Sequence, residues 1–157
     1  MSTEEVAERD EADVAADYIE ELLDIADLDG DIDIDDSGSR VLISVTAPEG
    51  GTGLAPLARA DVVAALQDLT RLAVQAKTGE FSRLILDVGG SRDTRATELA
   101  AIVDAAVARI EEGATSAALP PMSSYERKLV HDLVAERGFN SESEGEGRDR
   151  HTVIRRA

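Results

Sequence analysis

The sequence predicts an α+β protein made of two small units. Three observations carry this. Apolar residues recur at helical spacing in four stretches, and short strand-like runs stand between those stretches. A small-residue segment at 114–119 separates an αββαβα succession from an αββ one.

The elements follow in order. Residues 1–11 are polar and uncapped, and are expected to form a disordered acidic tail. From Ala12 onward, Val14, Tyr18, Ile19, Leu22 and Leu23 predict a helix that Gly30 breaks. Asp31-Ile32-Asp33-Ile34-Asp35 alternates with period two, as a strand with one apolar and one acidic face does. The turn Asp36-Ser37-Gly38-Ser39 leads to a second strand from Arg40 to Ala47, so the pair predicts a hairpin. Pro48 and Glu49 end it, and Gly50-Gly51-Thr52-Gly53 continues as a loop. A helix is expected over 60–76 with Val62, Val63, Leu66, Leu69, Leu72 and Ala73 on its buried side. The third strand is expected over 82–88. Gly89-Gly90 then opens a helix over 92–112 with Leu99, Ile102, Val103, Ala106, Val107 and Ile110 as its apolar stripe.

The last helix, Ser123 to Gly138, has both ends marked. Ser123 with Glu126 three residues on forms a capping box, and Gly138 is the stop signal. Leu129, Val130, Leu133 and Val134 share the core-facing side, while Arg127, Lys128 and His131 occupy the neighbouring arc. Strands over 140–145 and 151–155 follow, around the turn Gly145 to Asp149.

Composition bounds the function. The 157 residues contain no cysteine, which excludes disulfides, thiolate catalysis and sulfur-ligated zinc. Aromatics make up only 3%, which disfavours a binding surface made of several stacking platforms. There is no signal-peptide pattern and no apolar run of about 18 residues to span a membrane, so a cytoplasmic protein is expected. The net charge of −17 is unevenly placed: residues 1–36 hold 16 of the 33 acids and one of the 16 bases. That segment carries −15 and the rest of the chain −2, so the global charge does not exclude a nucleic-acid partner. The run Asp27 to Asp36 suggests calcium, but an EF-hand glycine at Gly30 would put Ile25 where the first carboxylate belongs. A solvated strand face is the simpler reading. With two histidines, His131 and His151, and neither phosphate-loop nor nucleophile-elbow motif, no enzyme activity, cofactor or metal is expected.

Arg127 and His131 lie one helical turn apart. A guanidinium can grip a phosphate through two parallel hydrogen bonds, and an imidazole can donate a proton or stack on a base. The structural alternative is that His131 caps the core boundary and Arg127 pairs with an acidic neighbour.

The stretch SYERKLVHDLVAERGFNSESEGEGRDRHTVIRR, with Arg127-x-x-x-His131 at its head, resembles the R-three-H domain, a nucleic-acid-binding module named for that spacing. The segment ALQDLTRLAVQAKTGEFSRLILDVGGSRDTRATEL resembles the second half of a type II KH domain, and the pair resembles the bacterial Jag (KhpB, SpoIIIJ-associated) family. The resemblance implies a KH-like αββαβα unit over 12–113, a linker over 114–119 and an R-three-H αββ unit over 120–157. It implies a partner, single-stranded RNA or DNA, held mainly by Arg127 and His131. Lys128, Arg155 and Arg156 would extend the patch, and Arg92 and Arg95 match a basic pair of the family. A KH domain clamps nucleotides with a G-x-x-G loop, which in this register falls at Leu57-Ala58-Arg59-Ala60; both glycines are missing and only Arg59 of the expected basic loop residues remains. Gly50-Gly51-Thr52-Gly53 has the formal pattern but lies seven residues too early. The KH unit is therefore expected to have a weakened or lost grip. The alternative function is an interaction adaptor whose degenerate KH unit is a dimerisation or docking surface, with a small KH protein or a membrane-insertion factor as partner. The acidic N-terminus is further expected either to compete with RNA for the basic edge of the last helix or to repel non-target RNA, a proposal open to deletion of residues 1–27.

Overall fold

The computed structural model describes residues 3–48 and 53–157, and the chain divides into two units between Arg92 and Asp93. The mixture of helices and small sheets is an α+β fold, as expected.

The first unit runs α1 (Thr3–Ile25), β1 (Asp31–Asp35), β2 (Leu42–Thr46), a 3₁₀ turn (Ala55–Leu57), α2 (Ala60–Thr78) and β3 (Ile85–Val88). β1 and β2 form the expected antiparallel hairpin, with Ile32 opposite Val45 and Ile34 opposite Ile43. β2 pairs in parallel with β3, which requires the crossover that α2 supplies. The core joins Ala15, Ile19 and Leu23 of α1 to Ile43, Val45, Leu86 and Val88 of the sheet and to Leu66 and Val74 of α2. The β3 side of the sheet is closed by α2. The Leu86 amide donates to Gln67 Oε1 at 3.0 Å, and Arg71 donates twice to the Leu84 carbonyl, at 2.9 and 2.7 Å.

Several expectations are corrected here. Helix α1 starts at Thr3, so 3–11 is helical where a disordered tail was expected; the stretch is rich in Glu, with Ala and Arg, and these residues lose little on entering a helix. Because Ala15, Ile19 and Leu23 are core residues, α1 is no dispensable arm, and deleting 1–27 would remove part of the core. The helix ends not at Gly30 but near Asp27, which adopts φ 55° while the Leu28 amide reaches back to the Leu23 carbonyl at 2.9 Å. Gly30 is needed for close packing instead: a Cβ there would lie 2.8 Å from Val45 Cγ1. Leu69 and Leu72 are 49% and 61% exposed rather than buried. The core line of α2 runs Leu66, Thr70, Val74, because the Thr70 hydroxyl donates to the Leu66 carbonyl at 2.6 Å and can enter the core with its polar group satisfied. A stripe drawn through apolar residues alone therefore misses the buried side. The strand expected from 82 begins at Ile85. The loop Gly50 to Thr52 lies outside the described residues, and Gly53 stands exposed before the 3₁₀ turn.

The second unit contains most of α3 (Ser91–Glu111), then β4 (Ser116–Ala118), α4 (Ser124–Glu136), β5 (Phe139–Glu144), a 3₁₀ turn (Gly147–Asp149) and β6 (His151–Arg156). Its sheet has the order β4-β6-β5, all antiparallel. Leu99, Val103, Ala106, Val107 and Ile110 of α3 pack with Ala117, Leu119, Val130, Val134 and Ile154. The units therefore part within the first turn of α3 rather than after residue 113: the apolar stripe of α3 was legible, but periodicity does not say which sheet it meets. The segment expected as a linker holds β4, whose Ala117 is buried opposite Ile154. The β5–β6 turn depends on Gly145, at φ 86°, where a Cβ would sit 2.9 Å from the Asp149 carbonyl oxygen. Among the described residues no helix is long and apolar enough to cross a membrane.

Candidate nucleic-acid interface

Helix α4 begins as expected, with the Ser123 hydroxyl oxygen accepting from the Glu126 amide at 3.2 Å. The reciprocal half of the capping box is replaced by another contact. The Glu126 carboxylate turns to Arg95 of α3, accepting from Nε at 2.8 Å and Nη2 at 3.3 Å. Val130 and Val134 are fully buried, with Leu129 and Leu133 packed beside them, so the orientation of α4 is set by its apolar stripe.

That orientation carries Arg127 and His131 onto β5. Alternation along Phe139–Glu144 turns Ser141 and Ser143 toward the helix side and leaves Asn140, Glu142 and Glu144 exposed. Arg127 donates from Nε to the Met122 carbonyl at 3.2 Å and from Nη1 to Ser143 Oγ at 2.9 Å. His131 Nδ1 lies 2.6 Å from Ser141 Oγ, and Nε2 lies 2.9 Å from Ser143 Oγ. Both side chains are half-buried. No acidic neighbour pairs with Arg127 among the described residues; serine hydroxyls and a carbonyl hold it. Lys128 is exposed one residue along the helix and makes no ion pair with a described residue.

The remaining basic residues singled out from the sequence make other contacts. Arg155 is held by two carboxylates, Glu142 at 3.3 Å and Glu144 at 2.9 Å; it lies opposite Asn140, on the sheet side that carries Glu142 and Glu144. The Glu144 bond raises the Arg155 pKa and lowers that of Glu144. Arg156 donates from Nη2 to the Ile110 carbonyl at 2.7 Å, which satisfies the C-terminal end of α3. Arg95 is engaged by Glu126 and by Glu98 at 3.0 Å, and the Glu126 bond raises its pKa. In the first unit, Arg92 is exposed and its amide donates to Asp87 Oδ1 at 3.1 Å. Arg59 precedes α2 and pairs with Asp61 at 3.2 Å. Arg155, Arg156, Arg95 and Arg59 thus each have an internal partner, because every one of them lies within reach of a carboxylate or an open helix end.

Ser141 and Ser143 were not singled out by the sequence reading. The signal was present in Ser-Glu-Ser-Glu, whose period of two puts both hydroxyls on one face, but the strand's partner face was not known.

Residues 97–156, from within α3 to the end of β6, match the R-three-H domain family. Over 143 residues the chain is 25% identical to the RNA-binding protein KhpB of Clostridium symbiosum, covering 90% of this chain and 64% of that protein. It is 26% identical over 140 residues to the RNA-binding protein KhpB of Bacillus subtilis, covering 87% and 66%. With the RNA-binding protein KhpB of Lactiplantibacillus plantarum it shares 25% over 138 residues, covering 88% and 42%. The chain therefore spans less than two thirds of the length of each of these relatives. The R-three-H match and the KhpB similarity together support the resemblance to the Jag/KhpB family.

Proposed function

We propose that this chain is a non-enzymatic, cytoplasmic protein that binds single-stranded RNA through α4 and β5 of its second unit. One observation carries the reading: within the segment matching the R-three-H domain, Arg127 and His131 meet on the serine face of β5, with Lys128 beside them and unpaired among the described residues. Arg127 is held by Nε and Nη1, so Nη2 remains for a phosphate oxygen, and Lys128 adds a point charge. The relatives' names, RNA-binding protein KhpB, support RNA over other partners. Single-stranded DNA presents the same phosphates and is the second candidate ligand of this chemistry.

The first unit reads as a type II KH-like unit. Its order α1-β1-β2-3₁₀-α2-β3, with β2 parallel to β3, supports this. Leu57 to Ala60 stands between the 3₁₀ turn and α2, where that family grips phosphates. Leu57 packs on the core, Arg59 is paired with Asp61, and among described non-glycine residues only Asp27 has positive φ. Side chains stand where phosphates would approach the backbone, so this loop clamps RNA weakly or not at all. The adaptor reading, with a small KH protein or a membrane-insertion factor as partner, draws on the missing loop glycines and on the exposed Ile25, Leu69, Leu72 and Phe81, and is not preferred.

The test is fluorescence anisotropy with a labelled single-stranded RNA. Arg127→Ala with His131→Ala should lower affinity by about tenfold or more while circular dichroism is retained. Unchanged affinity would refute the assignment.

A further inference from the structure

We propose that Ser143 is a positioning residue that sets the tautomer of His131, and that the resulting hydrogen-bond relay leaves the Ser141 hydroxyl proton to be donated to the RNA. The affinity half of this inference rests on the RNA-binding reading above; the tautomer half does not.

The direction of the relay follows from what each group can donate. A guanidinium only donates, so Ser143 Oγ accepts from Arg127 Nη1. The hydroxyl has one proton of its own, and the described partners of Ser143 Oγ are Arg127 Nη1 and His131 Nε2. The only acceptor of the two is His131 Nε2, at 2.9 Å. Because Ser143 Oγ already accepts from a cation, its own hydroxyl is polarised toward donation to Nε2, and that ring nitrogen then carries no hydrogen. Neutral His131 then holds its proton on Nδ1, which donates to Ser141 Oγ at 2.6 Å. The reverse polarity makes the same number of hydrogen bonds, but it turns Ser143 Oγ into an acceptor from both Arg127 and Nε2–H and so breaks the one-way chain in which each bond polarises the next.

The chain of donors therefore runs Arg127 to Ser143 to His131 to Ser141, with one direction throughout. It ends on a hydroxyl whose own proton has no described acceptor. Ser141 is half-exposed, so that proton is available to a phosphate oxygen or a ribose 2′-hydroxyl. The relay also explains why Arg127 and His131 must be one turn apart: a single hydroxyl, Ser143 Oγ, touches both. Histidine in water prefers its proton on Nε2, so the relay requires the less common tautomer.

Long-range proton–nitrogen correlation spectra of the His131 ring in the full chain, at about pH 8 and above the ordinary imidazole range, read the tautomer directly. The expected wild-type result is Nδ1–H. Ser143→Ala should move the proton to Nε2, and Ser143→Thr, which restores the hydroxyl, should return it to Nδ1. Ser141→Ala should keep the wild-type tautomer and weaken binding of a single-stranded RNA by roughly fivefold to tenfold, the size of one lost hydrogen bond. Nε2–H in the wild type, or a tautomer unmoved by Ser143→Ala, overturns the relay. Nδ1–H with full RNA affinity in Ser141→Ala overturns the outward donor. If Arg127→Ala with His131→Ala also binds RNA normally, the RNA-binding reading fails while the tautomer result stands.

Discussion

Replacing Lys128 by alanine separates the charge of the proposed interface from its scaffold. The ammonium is exposed and pairs with no described residue, so its loss should change stability by no more than about 0.5 kcal/mol. Binding should respond to salt. Each phosphate neutralised on a single strand contributes a slope of about −0.7 to log K against log salt. Between about 50 and about 200 mM salt, one such contact costs roughly 2.5-fold in affinity. The wild-type advantage over Lys128→Ala should therefore shrink by that factor across the range, measured by anisotropy with one RNA and one buffer series. Arg127→Ala should behave differently. It removes the donors at 3.2 and 2.9 Å that hold Met122 O and Ser143 Oγ, so it should also destabilise the fold by about 1–3 kcal/mol in urea denaturation. A wild-type to Lys128→Ala affinity ratio that stays constant with salt would refute the placing of Lys128 on the phosphate path.

Other outcomes follow from the same geometry. Arg95→Ala should lower stability by about 1 kcal/mol in urea denaturation, through loss of the Glu126 and Glu98 bridges, and leave RNA affinity unchanged. Leu57→Gly with Ala60→Gly should raise affinity for single-stranded RNA while lowering stability, since Leu57 packs on the core; no gain in a titration would argue against the missing glycines as the cause of a weak grip. Arg155 holds the Glu144 carboxyl below its ordinary value, so this bond stabilises the folded chain above the usual carboxylate range. The stabilisation disappears as acid protonates Glu144 in the folded state, and Glu144→Gln should flatten the acid limb of a stability–pH curve. Gly145→Ala should cost about 1–3 kcal/mol, because φ 86° and the 2.9 Å approach to Asp149 leave no room for a methyl group; a neutral result in the same denaturation assay would place the turn elsewhere.

Much of the fold was legible because local chemistry dictates it. Ser123 at the start of α4 and Gly138 just beyond its end bound that helix whatever surrounds it. The alternation of Asp31 to Asp35 makes a strand with one polar face, and the spacing of Arg127 and His131 puts both on one arc of α4. That Leu57 and Ala60 stand where the resemblance to a KH domain expects glycines was likewise readable from the residues. Tertiary structure decided which faces meet. Helix α3 has an apolar stripe in any setting, yet only packing assigns Leu99, Val103 and Ile110 to the second unit's core. On α2, a satisfied Thr70 enters the core and turns Leu69 and Leu72 outward, which no count of apolar residues foresees. The same holds for the charges. Arg155, Arg156 and Arg95 looked as free as Lys128 in the sequence, and they differ only because carboxylates or a helix end stand opposite them. Sequence determined that Arg127 and His131 share a helix face; the register of β5 against β6 decided that two serine hydroxyls would hold them there. Helix caps and periodicity act through neighbours a few residues away, whereas hydrogen-bond partners and buried faces are chosen between residues that only the folded chain brings together.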